Sequence, residues 1–173
     1  SKSWYNYYSN SIVKSLKSRH KRVPRAVVVY PPVSLRKGSK GEHSKRRKPW
    51  VVLTGRFFED IVQGKRHLEA IETFRLLKSM TTLPVELFLM GYQMPEVKHI
   101  NYTNNIIRHA EEVGDVHVLV NAGERVLTKV LSSAMIVWSM TGGFGLNDNP
   151  ADSEHFGIAV LEAMSHGCIP IVN

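Results

Sequence analysis

The fold class written into this chain is α/β, a Rossmann-like parallel sheet with helices on both faces. Two observations predict it. From Trp50 onward, short apolar runs alternate with longer stretches of helical periodicity, and repeated strand-helix units of this length build a parallel sheet covered by its own helices. The apolar runs read as buried on both sides, and no internal repeat or sizeable low-complexity tract competes with them.

Taken in order, the opening SKSWYNYYSNSIVKSLKSRHKR predicts a helix over residues 4–17, with Trp4, Tyr8, Ile12 and Leu16 recurring every four positions on one face. AVVVYPPV follows, a β-branched run stopped by Pro31 and Pro32. After a basic loop, residues 50–54 read as a buried strand. Residues 65–80 read as a helix with Leu68, Ile71 and either Leu76 or Phe74 inward, and residues 85–90 as a second strand. The alternation continues with a helix over 101–112, a strand over 116–120, a helix over 124–132 and a strand over 134–139. Residues 140–153 hold three glycines, Asn147, Asp148, Asn149 and Pro150 and read as a long loop; a helix over 158–166 and a strand over 169–172 close the chain.

A length of 173 residues suits one domain with an appendage. No stretch approaches the roughly 20 apolar residues of a membrane span, and the first residues lack the apolar run of a signal peptide, so a cytoplasmic location is expected. Cys168 is the only cysteine and reads as a buried, reduced thiol. The formal charge of +8 hides an asymmetry. Through Lys48 there are 14 Lys and Arg against Glu42 alone, +13; the remaining 9 basic and 14 acidic residues give −5. The segment 36–48, RKGSKGEHSKRRK, reads as a solvated loop, with contact to an anionic membrane surface or to nucleic acid as the functional alternative.

Candidate chemistry gathers where strands end. Gly55 and Arg56 directly follow the strand over 50–54, where a parallel sheet presents its residues to the ligand crevice, and Lys65 stands at the start of the next helix, with Arg66 as its alternative in register. Two cations there suit a diphosphate: a planar two-pronged guanidinium and a mobile ammonium. Downstream, EHFGIAVLEAMSHGCIP places Glu154 and Glu162 eight positions apart. On one continuous helix they would be about 12 Å apart along the axis and would not converge. Phe156-Gly157 interrupts the run, so Glu154 is expected in a loop over the start of a helix and both carboxylates face one cleft beside free N–H groups. The glycine clusters and histidine spacings make neither a dinucleotide fingerprint, a P-loop nor a metal site.

That run resembles the E-x7-E signature of retaining glycosyltransferases of GT-B architecture, in the large family-4-like group that takes sugars from nucleotide donors. Glu, Phe, Gly, Glu-Ala-Met, Gly and Pro fall in the family's order, while Cys168 and Ile169 stand where most members have one residue. That departure, with His155, is similar to the dolichol-linked mannosyltransferase branch. The resemblance implies the second, C-terminal half of a GT-B fold, truncated: residues 1–26 as a helical tail from the first domain, and 27–173 as the donor-binding domain of a fragment. It implies that Gly55, Arg56 and Lys65 contact the donor diphosphate, Glu154 the transferred sugar and Glu162 the ribose. His155, Phe156, Gly157 and Ile158 then line the sugar and phosphate, with Arg56, Lys65 and Glu154 serving catalysis. No cofactor or metal is expected; the substrate is a GDP- or UDP-linked sugar, mannose among the candidates, and the acceptor a glycan or lipid-linked hydroxyl held by a preceding GT-B domain. Two alternatives stay open: a noncatalytic nucleic-acid or anionic-surface module using segment 36–48, and an epimerase or phosphorylase of the same architecture.

Overall fold

The computed structural model describes residues 47–59, 64–141, 154 and 156–172, with Asn10, Ser11, Lys14, Ser18 and Pro32 as isolated positions. Among the described residues nine elements follow one another: β1 (Lys48–Thr54), α1 (His67–Met80), β2 (Glu86–Gly91), α2 (Val97–Val113), β3 (Val116–Val120), α3 (Glu124–Ser133), β4 (Ala134–Ser139), α4 (Ile158–Ser165) and β5 (Ile169–Val172). The five strands form one sheet in the order β3-β2-β1-β4-β5, and every pair is parallel. The fold is therefore the expected Rossmann-like α/β arrangement. β1 and β2 read as continuous apolar runs because both their faces are covered.

Alternate side chains of the central strands serve two cores. Val51, Leu53, Leu87 and Leu89 pack with Ala70, Ile71 and Phe74 of α1 and with Ile106 and Ala110 of α2. Val52, Phe88, Met90 and Val137 face the other way, onto Val130 and Leu131 of α3 and Ala163 of α4. The choice left open in α1 falls to Phe74, which is fully buried, whereas Leu76 is 61% exposed. Register explains it: Ala70, Ile71 and Phe74 share one helical face at i, i+1 and i+4, and Leu76 lies outside that stripe.

α2 begins four residues before the expected start, just after Pro95-Glu96, and ends at Gly114 with φ 69°, a left-handed stop followed by Asp115 at φ 56°. Lys78 of α1 fastens that turn, donating to the Val113 carbonyl at 3.2 Å and to Asp115 Oδ2 at 2.6 Å. Apart from Asn10, Ser11 and Lys14, which are helical, and Pro32, the helix expected over 4–17 and the run AVVVYPPV lie outside the described residues, as does most of the loop 140–153.

The basic segment 36–48 divides at its end. Residues 36–46 lie outside the described residues, while Lys48 opens β1 and Arg47 is built into the fold. Arg47 Nη1 donates to the Ala134 carbonyl at 2.5 Å, and Nη2 to the His166 carbonyl at 2.5 Å, with Leu131 O a third, longer acceptor at 3.5 Å. A guanidinium has enough donors, fixed in a plane, to gather carbonyls at the ends of α3 and α4. The solvated-loop reading therefore does not extend to these two residues.

Candidate functional site

The chain runs β1-α1-β2-α2-β3 to one side of β1, then returns by α3 to place β4 on the other. The point where the order reverses lies between β1 and β4, and side chains that leave the carboxyl ends of these two strands share a crevice.

Lys65 is the residue at its centre. It precedes α1 by two positions instead of opening it, because Arg66, with φ 53°, caps the helix in a left-handed conformation. Arg66 turns its guanidinium to Glu69 at 3.4 Å, so it is Lys65 whose side chain enters the crevice. Its Nζ lies 2.7 Å from Glu154 Oε2 and donates to Thr141 Oγ1 at 3.0 Å. Glu154 precedes α4, and Thr141 follows β4. Three segments far apart in sequence thus meet around one ammonium.

The glycines before them make this approach feasible. A Cβ on Gly55 would stand 2.5 Å from Lys65 Cγ, so the lysine chain crosses the strand end only because position 55 has no side chain. Beneath it, a Cβ on Gly91 would fall 1.7 Å from the Gly55 carbonyl oxygen. The Gly55 N–H donates to Met90 O at 2.9 Å and the Phe57 N–H to Tyr92 O at 2.9 Å, extending the β1–β2 ladder past the strand end.

Burial pushes the Glu154 carboxyl up, but the hydrogen bond and charge of Lys65, the Thr141 hydroxyl and the Gly157 N–H outweigh it and hold the group below the ordinary carboxylate range. Gly157 caps α4 at φ 77°. A Cβ there would meet Glu154 and Val160 at ordinary contact distances of 3.6 and 3.7 Å, so the backbone conformation, more than a lack of space, calls for glycine.

On its other side Gly55 borders a cleft of about 560 Å³, also lined by Arg56, Gly91, Tyr92, Asn121 and Leu127. Lys65 and Glu154 are not part of its lining; the ion pair and the cleft meet at Gly55. The Arg56 side chain is exposed, its guanidinium carbon 5.6 Å from the Phe58 ring. Below the loop His67 is fully buried, stacked on Phe57 at 4.8 Å with Nδ1 3.4 Å from the Tyr102 hydroxyl. Burial, then the Lys65 charge, lower its pKa to about 4. The Gly55 backbone pulls the other way, and Nε2 has no hydrogen-bond partner among the described residues.

The remaining expected site residues are more dispersed. Glu162 sits one turn into α4, exposed, and its carboxylate takes no partner among the described residues. Ile158 is half exposed, Phe156 is partly buried, and His155 lies outside the described residues. Thr141, Tyr92 and Asn121 were absent from the sequence-level site. A signal for Thr141 was present, since it lies two residues past the end of β4, close to the carboxyl end of a strand beside the switch point. Among the described residues no group of three or more His, Cys, Asp or Glu could hold a metal ion, and no helix is long and apolar enough to cross a membrane.

No protein-family model matches the chain, and no curated protein matches it. Among solved structures it is similar to an α,α-trehalose-phosphate synthase (UDP-forming) from Burkholderia xenovorans, described in complex with glucose-6-phosphate, at 15% identity and a TM-score of 0.46 over 76% of this chain and 33% of that one. It is similar also to OtsA in its apo form, at 10% identity and a TM-score of 0.43 over 82% of this chain and 36% of that one. A third is an α,α-trehalose-phosphate synthase (UDP-forming) from Burkholderia vietnamiensis, at 12% identity and a TM-score of 0.43 over 99% of this chain and 38% of that one. The chain spans about a third of the length of each of these structures.

Proposed function

We propose that this crevice binds a nucleoside-diphosphate sugar and that the chain is the donor-binding domain of a retaining glycosyltransferase, with the acceptor held by a second Rossmann-like domain. The observation that carries the reading is the meeting of Lys65, Glu154 and Thr141 over Gly55, at the carboxyl ends of β1 and β4 and beside the cleft that bears Arg56. A cleft with Tyr92 on its lip offers room and a ring for a nucleobase, Arg56 and Lys65 offer cations for the diphosphate, and Glu154 offers a carboxylate for sugar hydroxyls. When the bond between sugar and diphosphate breaks, negative charge grows on the leaving group. Fixed cations then stabilise the transition state more than the ground state. The resemblance of EHFGIAVLEAM to the E-x7-E signature supplies the retaining chemistry and the ribose role of Glu162.

Calorimetric titration of the chain with UDP, GDP, UDP-glucose, GDP-mannose, uridine and guanosine tests this. GDP-mannose belongs in the panel because of the spacing at Cys168 and Ile169. One diphosphate series is expected to bind, and Arg56→Ala to weaken it about tenfold or more while leaving the bare nucleoside little changed. Absence of binding to both diphosphates, or equal losses for diphosphate and nucleoside, would refute the proposal.

A further inference from the structure

We infer that Thr141 is a positioning residue for both halves of the donor site, holding the Lys65 ammonium toward the diphosphate and the Glu154 carboxylate toward the sugar. This rests on the donor reading above and adds a residue that neither the signature nor the family resemblance supplied.

Thr141 is 4% exposed and lies two residues past the end of β4. Its hydroxyl accepts from Lys65 Nζ at 3.0 Å, and its own proton is left to donate to Glu154, a bond that also favours the ionised carboxylate. Apart from Glu154, it is the one side chain among the described residues that hydrogen-bonds the Lys65 ammonium. A lysine facing a carboxylate alone, with four rotatable bonds, can follow it or swing into solvent. Tied to a buried hydroxyl as well, Lys65 has a fixed Nζ, and among the described residues two of its three N–H donors are used. One remains for an incoming oxygen. An approaching diphosphate therefore meets an ammonium already placed, and neither the lysine nor the carboxylate has to be ordered in the same step.

The prediction is specific to the hydroxyl. Thr141→Val keeps the shape and removes both hydrogen bonds, whereas Thr141→Ser keeps the hydroxyl. By calorimetry against UDP and GDP, the valine variant should bind whichever nucleotide the wild-type chain binds at least tenfold more weakly. The serine variant should stay within about threefold of wild type. Affinity for the matching nucleoside should not change in either. Thr141→Ala, which adds no bulk, replaces the valine variant if that one does not fold. Wild-type binding that survives Thr141→Val, or is lost equally in Thr141→Ser, overturns the assignment while leaving the donor site standing. A wild-type chain that binds neither diphosphate overturns both.

Discussion

Two cations reach into this sheet from opposite ends, and different kinds of acceptor hold them. At the amino end of β1, Arg47 donates to backbone carbonyls at the close of α3 and α4. At the carboxyl end Lys65 is met by a carboxylate and a hydroxyl. A carbonyl in a packed helix end cannot change partners unless the helix moves, so Arg47 belongs to the fold. Side-chain acceptors can rotate and share, and the acceptors of Lys65 among the described residues leave it a donor for something else. A cation's acceptors thus separate a structural role from a ligand-binding one, where charge alone would not.

Arg47→Met should show the largest effect. It strips the carbonyls of Ala134 and His166 of a charged donor and should lower the unfolding free energy by about 3 kcal/mol, the order of one or two charge-assisted hydrogen bonds. Urea titration measures it, and UDP or GDP binding by the folded fraction should be unchanged; a loss below about 1 kcal/mol would mean that water replaces the guanidinium. Lys65→Ala should invert the pattern. Stability should fall by no more than about 1 kcal/mol, as for a partly exposed ion pair. Diphosphate affinity should fall about 10- to 100-fold, equivalent to roughly 1.5 to 3 kcal/mol. Equal stability losses in the two variants would erase the distinction.

The buried histidine beneath the lysine gives a smaller, pH-dependent effect. The folded-state pKa of His67 is lowered to about 4 from 6.5, so the unfolded chain takes up a proton first as the pH falls. Its stabilising contribution is present above pH 6.5 and is lost progressively as the pH drops toward 4. Between pH 7 and 5 the unfolding free energy should decline by roughly 2 kcal/mol from this group, and His67→Gln should flatten that slope. An unchanged slope in the variant would place the titration elsewhere. Removal of residues 36–46 should have the smallest effect, within about 0.5 kcal/mol. Extending the deletion through Arg47 should reproduce the loss seen with Arg47→Met, because only then is the guanidinium removed.

Much of the fold was legible because its signals are local. The bounds of β3 and β4 follow from short apolar runs with sharp edges, Gly114-Asp115 before one and the end of α3 before the other. Phe74 against Leu76 was decidable from periodicity once Ile71 was taken as inward, since Phe74 lies three positions on along the same face and Leu76, two positions further, points away from it. In the site, Gly55 and Lys65 stand together as the strand-end argument required, but the reason for Gly55 is a lysine ten residues later and that for Gly91 is a carbonyl on the adjacent strand. Distances across strands are invisible to a linear pattern. Thr141 escaped because the glycines and asparagines after it made the whole stretch read as loop. Arg47 escaped because its three neighbours Lys45, Arg46 and Lys48 made it look like one charge in a run, and its acceptors lie 84 to 119 positions away.

That last separation sets a schedule for synthesis. The amino end of the central strand emerges from the ribosome long before the His166 carbonyl it will hold. At about 5 to 20 residues per second the wait for 119 residues is roughly 6 to 24 s. β1 must meanwhile pair with β2 while its β4 edge stays open and its guanidinium stays in water. A pause in translation between codons 134 and 166 would prolong that half-closed state, and slow decoding in that window should raise the aggregated fraction more than equal slowing upstream of Lys48.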